Sequence, residues 1–387
     1  MNLKTVSGLM LTLLLVSMLF VAFDMPVVMA TGTIYIRADG SIDGPANITT
    51  LDYVTYYFNE SNYDEIVVEK DNIVVDGAGY TVQGTGDGIG ITLEEVSNVT
   101  IKNANIQNFN TGICFDLSSH NTISGNNITN NSGVGIFLGE YDLINFIKEN
   151  NITNNSMYGI FLHHASENVI SGNDITNSGL DGIYLTDSSN NTISRNNITG
   201  NWNCGISLIN SSNNSVYNNN FVDNSVHADS YESANMWDNG YPLSGNYWDS
   251  YDDEDLYCGP FQDETGSDNI WDHPYVMDEN NQDNYPLTDP IVATCTLEVR
   301  TTISSLAVWG TTYPAPSLYV CPANIIVVVK VVPSYFLRYW TLDGCFLYET
   351  GATIAVTMNV DHRLCAHLGY QMGTRVTGRG ITHLFKR

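Results

Sequence analysis

The chain repeats one short pattern of apolar and polar positions from Gly88 to Phe221. Three columns recur every 22 to 24 residues: an isoleucine after an asparagine-rich turn, a second Ile or Val, and a glycine. The columns are Ile106, Ile128, Ile152, Ile175, Ile198 and Phe221; Ile101, Ile123, Ile147, Ile170, Ile193 and Val216; and Gly88, Gly112, Gly135, Gly159, Gly182 and Gly205. The apolar runs are too short for helices and are separated by Gly, Ser and Asn, which predicts three short strands and three turns per repeat.

A repeat of this size predicts a stacked architecture. A unit of about 23 residues cannot bury its own apolar face, but stacked copies enclose a continuous interior of Ile, Leu and Val. Leucine-rich repeats have a similar length, but this chain lacks their Leu-x-x-Leu-x-Leu frame and helical segment. The sequence therefore predicts an all-β solenoid, a parallel β-helix.

An asparagine column accompanies the isoleucines. It lies two residues before the buried isoleucine, so strand alternation places it on the inner side, where amides can bond from coil to coil as a ladder. The predicted ladder is Asn126, Asn150, Asn173, Asn196 and Asn219. The next residue in the repeat faces outward and begins an Asn-x-Thr sequon, so N-glycans would be tolerated at Asn127, Asn151 and Asn197.

The repeat Gly-Ile-x-Leu…Asn-x-Thr-Ile-Ser-x-Asn-Asn-Ile resembles the right-handed parallel β-helix repeats of the NosD-like family of exported proteins. The segment from Ser244 to Tyr251 (SGNYWDSY), followed by DNYPL at 283–287, resembles that family's closing segment. The resemblance covers about residues 33–290 and implies a right-handed helix. It implies no particular activity, because this fold also serves polysaccharide lyases, hydrolases, epimerases and inert surface proteins.

Six segments complete the predicted organisation. They are a signal peptide at 1–30, an N-terminal cap at 31–65, β-helix coils at 66–227, an acidic closing segment at 228–292, a small β module at 293–368 and a disordered basic tail at 369–387. The first segment has an apolar run of about 15 residues, shorter than the roughly 20 of a spanning helix, and ends in a small-residue cleavage pattern. We therefore expect a secreted or cell-surface protein with no transmembrane segment after cleavage.

The charge balance excludes one class of partner and suggests a metal. With 42 acidic and 14 basic side chains, the net charge of −28 argues against nucleic acid. No Lys or Arg occurs between Arg195 and Arg300, whereas 14 carboxylates lie from Asp238 to Asp289. Because Ca²⁺ needs several converging oxygen ligands, this segment suggests a Ca²⁺ site, with a solvated acidic surface as the alternative. The predicted ligands are Asp249, Asp252, Asp253, Asp255, Asp263 and Asp268.

A stripe of aromatic residues is predicted on the outer surface. In each Gly-Ile-x-Leu run the Ile and Leu face inward, so position x faces out. The stripe contains Phe137, Phe161 and Tyr184, and beside it lie Glu140, His163, His164 and Asp187. Stacked aromatic rings could hold sugar rings or a partner, so these seven residues are the candidate substrate-binding residues. The His pair could also transfer protons or bind a metal. The alternative is that strands simply favour aromatic residues and that the His pair has no function.

No catalytic centre is predicted. A lyase of this fold needs a basic side chain at the site, but the coil cations do not lie beside the stripe in the repeat register; they are Lys70, Lys102, Lys148 and Arg195. The Asp272-His273-Pro274 sequence has neither the order nor the Glu of an epimerase Asp-Pro-His-Glu motif. Copper would need clustered His, Met or Cys, and strand neighbours such as His163 and His164 are expected to point to opposite faces.

The C-terminal module differs in composition from the coils. It resembles the small β-rich repeat modules at the ends of surface proteins. It contains four cysteines: Cys295, Cys321, Cys345 and Cys365. They could form two disulfides, and the sequence leaves all three possible pairings open.

From the sequence we expect an exported β-helix protein that binds a polysaccharide or a cell-surface glycan. A polysaccharide lyase, hydrolase or epimerase and a structural surface-layer component are the alternatives, and copper handling is the alternative that the residues favour least.

Overall fold

The computed structural model describes residues 32–292, 294–303, 311–323, 325–332, 337–343, 345–347 and 351–368, together with two short backbone segments near the C-terminus. The predicted signal peptide lies outside the described residues. So does the predicted disordered tail, except for Thr374–Arg375 and His383–Leu384, whose backbones pair antiparallel with each other. In the part of the chain that is described, no helix is long and apolar enough to cross a membrane.

Residues 34–248 form a right-handed parallel β-helix with three sheets, which confirms the predicted fold class. Sheet 1 contains β1 (Ile34–Ile36), β2 (Ile42–Asp43), β5 (Ile66–Val68), β8 (Ile89–Glu94), β11 (Thr111–Asp116), β14 (Val134–Leu138), β17 (Ile160–His163), β20 (Ile183–Thr186), β23 (Cys204–Ile209) and β26 (Val226–Tyr231). Sheet 2 contains β7 (Thr81–Gln83), β10 (Asn105–Gln107), β13 (Asn127–Thr129), β16 (Asn151–Thr153), β19 (Asp174–Thr176), β22 (Asn197–Thr199), β25 (Asn220–Val222) and β27 (Tyr247–Trp248). Sheet 3 contains β3 (Ile48–Thr50), β4 (Thr55–Phe58), β6 (Val74–Asp76), β9 (Thr100–Lys102), β12 (Thr122–Ser124), β15 (Phe146–Lys148), β18 (Val169–Ser171), β21 (Thr192–Ser194) and β24 (Ser215–Tyr217).

The core consists of the repeat columns stacked in register. Each inward isoleucine pairs with its counterpart one coil away; Ile160, for example, lies between Ile136 and Ile183, and all three are fully buried. The glycine column marks the places where coils approach most closely. A Cβ added to Gly159 would lie 2.6 Å from the carbonyl oxygen of Gly182, so this position has no room for a side chain.

The solenoid is longer than the predicted coil segment at both ends. Within the predicted cap, β1 pairs parallel with β5 and β4 pairs parallel with β6, and only β2 and β3 are antiparallel. At the other end, β26 and β27 add parallel strands beyond residue 227. The longer connections in these terminal coils interrupt the spacing of about 23 residues, so the periodic signal fades before the strands do.

The predicted asparagine column forms a hydrogen-bonded ladder inside the solenoid. Each amide nitrogen donates to the amide oxygen of the next coil, over 3.0 Å from Asn150 to Asn173 and over 2.9 Å from Asn196 to Asn219. The ladder continues to Asn246 and ends at Asp283, whose Oδ2 accepts from the Asn246 backbone N–H at 2.7 Å. It thereby joins the coils to the closing segment.

Two further asparagine ladders were not predicted, and in both the backbone N–H of one asparagine donates to the side-chain oxygen of the asparagine one coil further on. Their members are Asn121, Asn145, Asn168, Asn191, Asn214 and Asn235 in one ladder, and Asn131 with Asn155 and Asn201 with Asn224 in the other. Ser178 replaces asparagine in one coil of the last ladder, which interrupts that column in the sequence.

The closing segment and the C-terminal module share a second core. The closing segment contains β28 (Tyr257–Cys258), β29 (Glu264–Thr265), β30 (Tyr275–Asp278) and β31 (Asn281–Asp283). The module contains β32 (Thr294–Ile303), β33 (Thr311–Tyr313), β34 (Ser317–Pro322), β35 (Ile326–Val332), β36 (Leu337–Leu342), β37 (Cys345–Leu347), β38 (Thr353–Thr357) and β39 (His362–Leu368). Buried Ile270 and Leu287 of the closing segment belong to the module's core, and Lys330 Nζ pairs with Glu264 at 2.6 Å.

The module's strand register favours one cysteine pair. Cys295 on β32 and Cys321 on β34 lie directly opposite each other, and both are buried. Cys345 on β37 and Cys365 on β39 lie on opposite sides of β36. Two strand spacings of about 4.8 Å separate the second pair, which is too far for a disulfide without backbone movement.

Candidate functional site

The outer face of sheet 1 presents a patch of aromatic side chains. Phe137, Phe161 and Tyr184 occupy the same outward position on β14, β17 and β20 and pair in register. The ring centroid of Phe161 lies 5.2 Å from that of Phe137 and 5.2 Å from that of Tyr184, and all three side chains are half-buried. Because the strands are stacked along the solenoid axis, the rings form one continuous apolar strip in that direction.

A fourth ring, Tyr158, widens this patch. Its ring stacks on Tyr184 with a centroid distance of 4.8 Å and an interplanar angle of 10°, and it contacts Phe161 at 5.2 Å. Burial raises the pKa of both tyrosines, so both hydroxyls are neutral hydrogen-bonding groups at neutral pH. Tyr158 was not predicted, although it directly precedes the glycine column and the outward direction of that position could have been inferred from the repeat.

The surroundings of the patch are acidic. Strands β8 to β26 of sheet 1 contain no Lys or Arg, whereas Lys102 and Lys148 end strands of sheet 3 and Arg195 directly follows another. Asp181 lies at the edge of the patch, where burial raises its pKa and its Oδ1 accepts from the Cys204 backbone N–H at 2.9 Å. The patch therefore offers apolar ring faces and hydrogen-bond acceptors without a cationic group.

A histidine pair lies beside the patch, where β17 ends. His163 is the last residue of β17, and its ring centroid lies 6.2 Å from that of Phe161. The rings of His163 and His164 are 4.3 Å apart, and His164 Nε2 lies 3.9 Å from Oδ2 of Asp187. The expectation that the two His rings point to opposite faces is wrong. The strand stops at His163, and His164 adopts a left-handed backbone with a φ of 55°, which turns its ring back to the same side.

These three side chains can supply metal ligands together. One ligand atom from each of His163, His164 and Asp187 lies within 4.8 Å of the other two. Among the described residues, no other three His, Cys or acidic side chains bring their ligand atoms this close together. Glu140 is exposed on the loop after β14 and does not belong to the group.

The acidic closing segment uses several of its carboxylates to hold its own loops. Asp253 Oδ2 lies 2.8 Å from Nδ1 of His273, and this ion pair raises the pKa of the imidazole. Asp255 accepts from the backbone N–H of Asp268 at 3.0 Å. Asp268 is itself fully buried, accepts from the backbone N–H of Gly259, and has a pKa raised by burial to about 7.

The remaining predicted Ca²⁺ ligands are dispersed. Asp249 pairs with Nε2 of His227 at 2.7 Å, at the end of the last coil. Asp252 and Asp263 are exposed. In residues 32–292, the structure does not bring three of the six predicted ligands together, and Ca²⁺ binding stays a prediction from the sequence.

The predicted glycosylation positions lie on sheet 2. Asn127, Asn151 and Asn197 are the first residues of β13, β16 and β22. Asn151 is exposed and the other two are half-buried. Their modification stays a prediction.

Comparisons with known proteins identify the family. A double mutant of the periplasmic alginate epimerase AlgG is 19% identical over 58% of this chain and 57% of its own, with a TM-score of 0.35. The enzymatically active domain of tailspike protein 2 from bacteriophage CBA120 is 16% identical over 46% of this chain and 32% of its own, with a TM-score of 0.38. The Azotobacter vinelandii mannuronan C-5 epimerase AlgE4 A-module is 13% identical over 47% of this chain and 62% of its own, with a TM-score of 0.34.

This chain thus spans less than two thirds of each of these three proteins, and likenesses of this size carry no inference about its substrate. No curated protein matches the chain. The family model described as periplasmic copper-binding protein (NosD) matches residues 46–253, which is more than half of the chain. The repeat, the closing segment and this match agree, and the chain belongs to the NosD family.

Proposed function

We propose that this protein is an exported β-helix protein that binds a polysaccharide across the aromatic patch of sheet 1. The observation that carries the proposal is the strip formed by Phe137, Phe161 and Tyr184, with Tyr158 stacked beside it. Aromatic rings bury the apolar C–H faces of sugars and leave the sugar hydroxyls to polar groups at the rim. Because the strip runs along the solenoid axis, it suits an extended chain that lies across several coils.

The charge of the protein narrows the class of sugar. A net charge of −28 and a patch without Lys or Arg repel a polyanion, and this repulsion weakens only as salt screens it. We therefore assign a neutral or amino polysaccharide in preference to a polyuronate. Export is supported by the signal-peptide pattern in the sequence and by the periplasmic description of the family.

Affinity electrophoresis of the full chain through gels with neutral, amino or acidic polysaccharide tests this proposal. Phe161→Leu keeps an apolar side chain on β17 but removes the central ring face. Fully burying a Phe is worth about 3 kcal/mol at most, so a sugar that covers the exposed half of the Phe161 ring gains at most about 1.5 kcal/mol. Because Leu keeps part of this contact, we expect Phe161→Leu to weaken binding by up to about tenfold.

Phe146→Leu is the matched control, because Phe146 is an exposed aromatic residue on a strand of sheet 3. We expect a neutral or amino polysaccharide to retard the wild-type protein. The retardation should be weaker for Phe161→Leu and unchanged for Phe146→Leu. Equal binding by both variants, or no retardation by any polysaccharide, would overturn the proposal and favour a structural surface role. Release of sugar fragments would favour the enzyme alternative.

A further inference from the structure

We infer that His163, His164 and Asp187 form a binding site for a divalent transition metal that prefers imidazole ligands, such as Zn²⁺ or Cu²⁺. This site goes beyond the proposed glycan binding and does not depend on it. The inference rests on three observations: the repeat places the residues together, their donor atoms suit one class of metal, and the rest of the described chain offers no equivalent group.

The repeat geometry explains why distant residues meet here. His164 and Asp187 are 23 residues apart and occupy the same position in successive coils, directly after β17 and β20. Both have left-handed backbones, with φ values of 55° and 50°. The same position is left-handed in two other coils, at Leu117 and Asn210, with φ of 49° in each. Side chains in this column therefore project alike, about 4.8 Å apart along the solenoid axis.

His163 completes the group from the neighbouring position. It pairs in register with Thr186 and faces outward from sheet 1, so its ring lies close to the imidazole of His164 and the carboxylate of Asp187. His164 and Asp187 are exposed and His163 is half-buried. The three ligand atoms now lie within 4.8 Å of one another, and small rotations of the side chains can place all three at roughly 2.0–2.2 Å from a Zn²⁺ ion between them.

The donor chemistry selects the metal class. Two imidazoles and one carboxylate are a ligand set for Zn²⁺ or Cu²⁺ and leave a coordination position open for water. Ca²⁺ and Mg²⁺ prefer oxygen ligands alone, and Cu⁺ prefers the thiolate or thioether that this group lacks. The family description names copper, and these residues suit copper as Cu²⁺.

Three other His–carboxylate pairs could compete for the same metals. They are His273 with Asp253 at 2.8 Å, His362 with Asp343 at 2.7 Å, and buried His227 with Asp249 at 2.7 Å. None of the three has a third His, Cys or acidic ligand atom close enough to form such a group among the described residues. Each of these pairs has a single imidazole, which predicts weaker metal binding. Variants of His163, His164 and Asp187 distinguish binding at the three-residue group from binding at these pairs.

The test is calorimetric titration of the metal-free full chain with Zn²⁺, Cu²⁺ and Ca²⁺. Each variant carries a residue that a later coil already holds at that position: Thr186 for His163→Thr, and Asn210 for His164→Asn and Asp187→Asn. The control Leu117→Asn introduces the same amide at an exposed site of the same column. These substitutions leave the buried columns intact, and circular dichroism checks that each variant is folded.

We expect one Zn²⁺ or Cu²⁺ site per chain, with affinity reduced at least about tenfold in each of the three variants and unchanged in Leu117→Asn. This size follows because even the loss of a partner outside the ligand set costs about 10–100-fold in metal affinity. The electron paramagnetic resonance spectrum of the Cu²⁺ complex should show coupling to two nitrogens in the wild type and to one in His164→Asn. No high-affinity site, unchanged affinity in the variants, or an equal loss in Leu117→Asn would overturn the inference.

Discussion

Asn150 and Asn151 are adjacent in sequence but should contribute very differently to stability. The side chain of Asn150 is 2% exposed and makes four hydrogen bonds. Its Nδ2 donates to the Ile123 carbonyl at 2.9 Å and to Asn173 Oδ1 at 3.0 Å. Its Oδ1 accepts from the backbone and side-chain nitrogens of Asn126, both at 3.0 Å. At about 1 kcal/mol for each bond, Asn150→Ala should lower the free energy of unfolding by about 4 kcal/mol.

Asn151→Ala is the matched control. Its side chain points outward, is exposed, and donates one bond to Asn127 Oδ1 at 2.7 Å, so we expect a change within about 0.5 kcal/mol. Urea unfolding of the full-length variants, monitored through the circular dichroism signal of the β-sheets, measures both effects. Nearly equal midpoints for the two variants would refute the idea that the buried ladder stabilises the solenoid.

Three further predictions follow from the packing. Gly159→Ala should lower the melting temperature, because its Cβ would collide with the carbonyl oxygen of Gly182 and overpacking costs about 1–3 kcal/mol; an unchanged melting temperature would contradict this close approach. Burial raises the pKa of Asp283 from 3.8 to about 7, so stability should fall as pH rises through this window. In thermal melts at a series of pH values, Asp283→Asn should lose less stability than the wild type as the pH rises. An equal loss in both proteins would show that this carboxyl does not cause it. Under oxidising conditions Cys295 and Cys321 should form a disulfide, and non-reducing peptide mapping that finds another partner for either would contradict the strand register.

The fold could be predicted because one physical constraint recurs in every coil. Each coil must bury an isoleucine at the same position, so Ile147, Ile170 and Ile193 stand in one column and the period can be counted. The same reasoning anticipated the Asn150 ladder. It did not extend to the first and last coils, because their longer connections interrupt the count even though β1 and β27 pair in parallel there.

The candidate sites depend on local geometry that a period alone does not specify. Alternation along a strand predicts opposite directions for His163 and His164, but it holds only while the strand continues, and the left-handed turn at His164 ends it. The spacing of 23 residues between His164 and Asp187 did contain the signal for their contact. The acidic segment has no period, so the sequence could not show that Asp253 and Asp255 bond to their own loops.

Hydroxyl-radical footprinting of the full chain, with and without a saturating neutral or amino polysaccharide, tests most directly whether sheet 1 binds glycan. The account predicts that oxidation of Tyr158, Phe161 and Tyr184 falls when the polysaccharide is bound, whereas that of exposed Phe146 on sheet 3 does not. Protection of Phe146 instead, or bound polysaccharide with all three patch residues still fully reactive, would contradict the account.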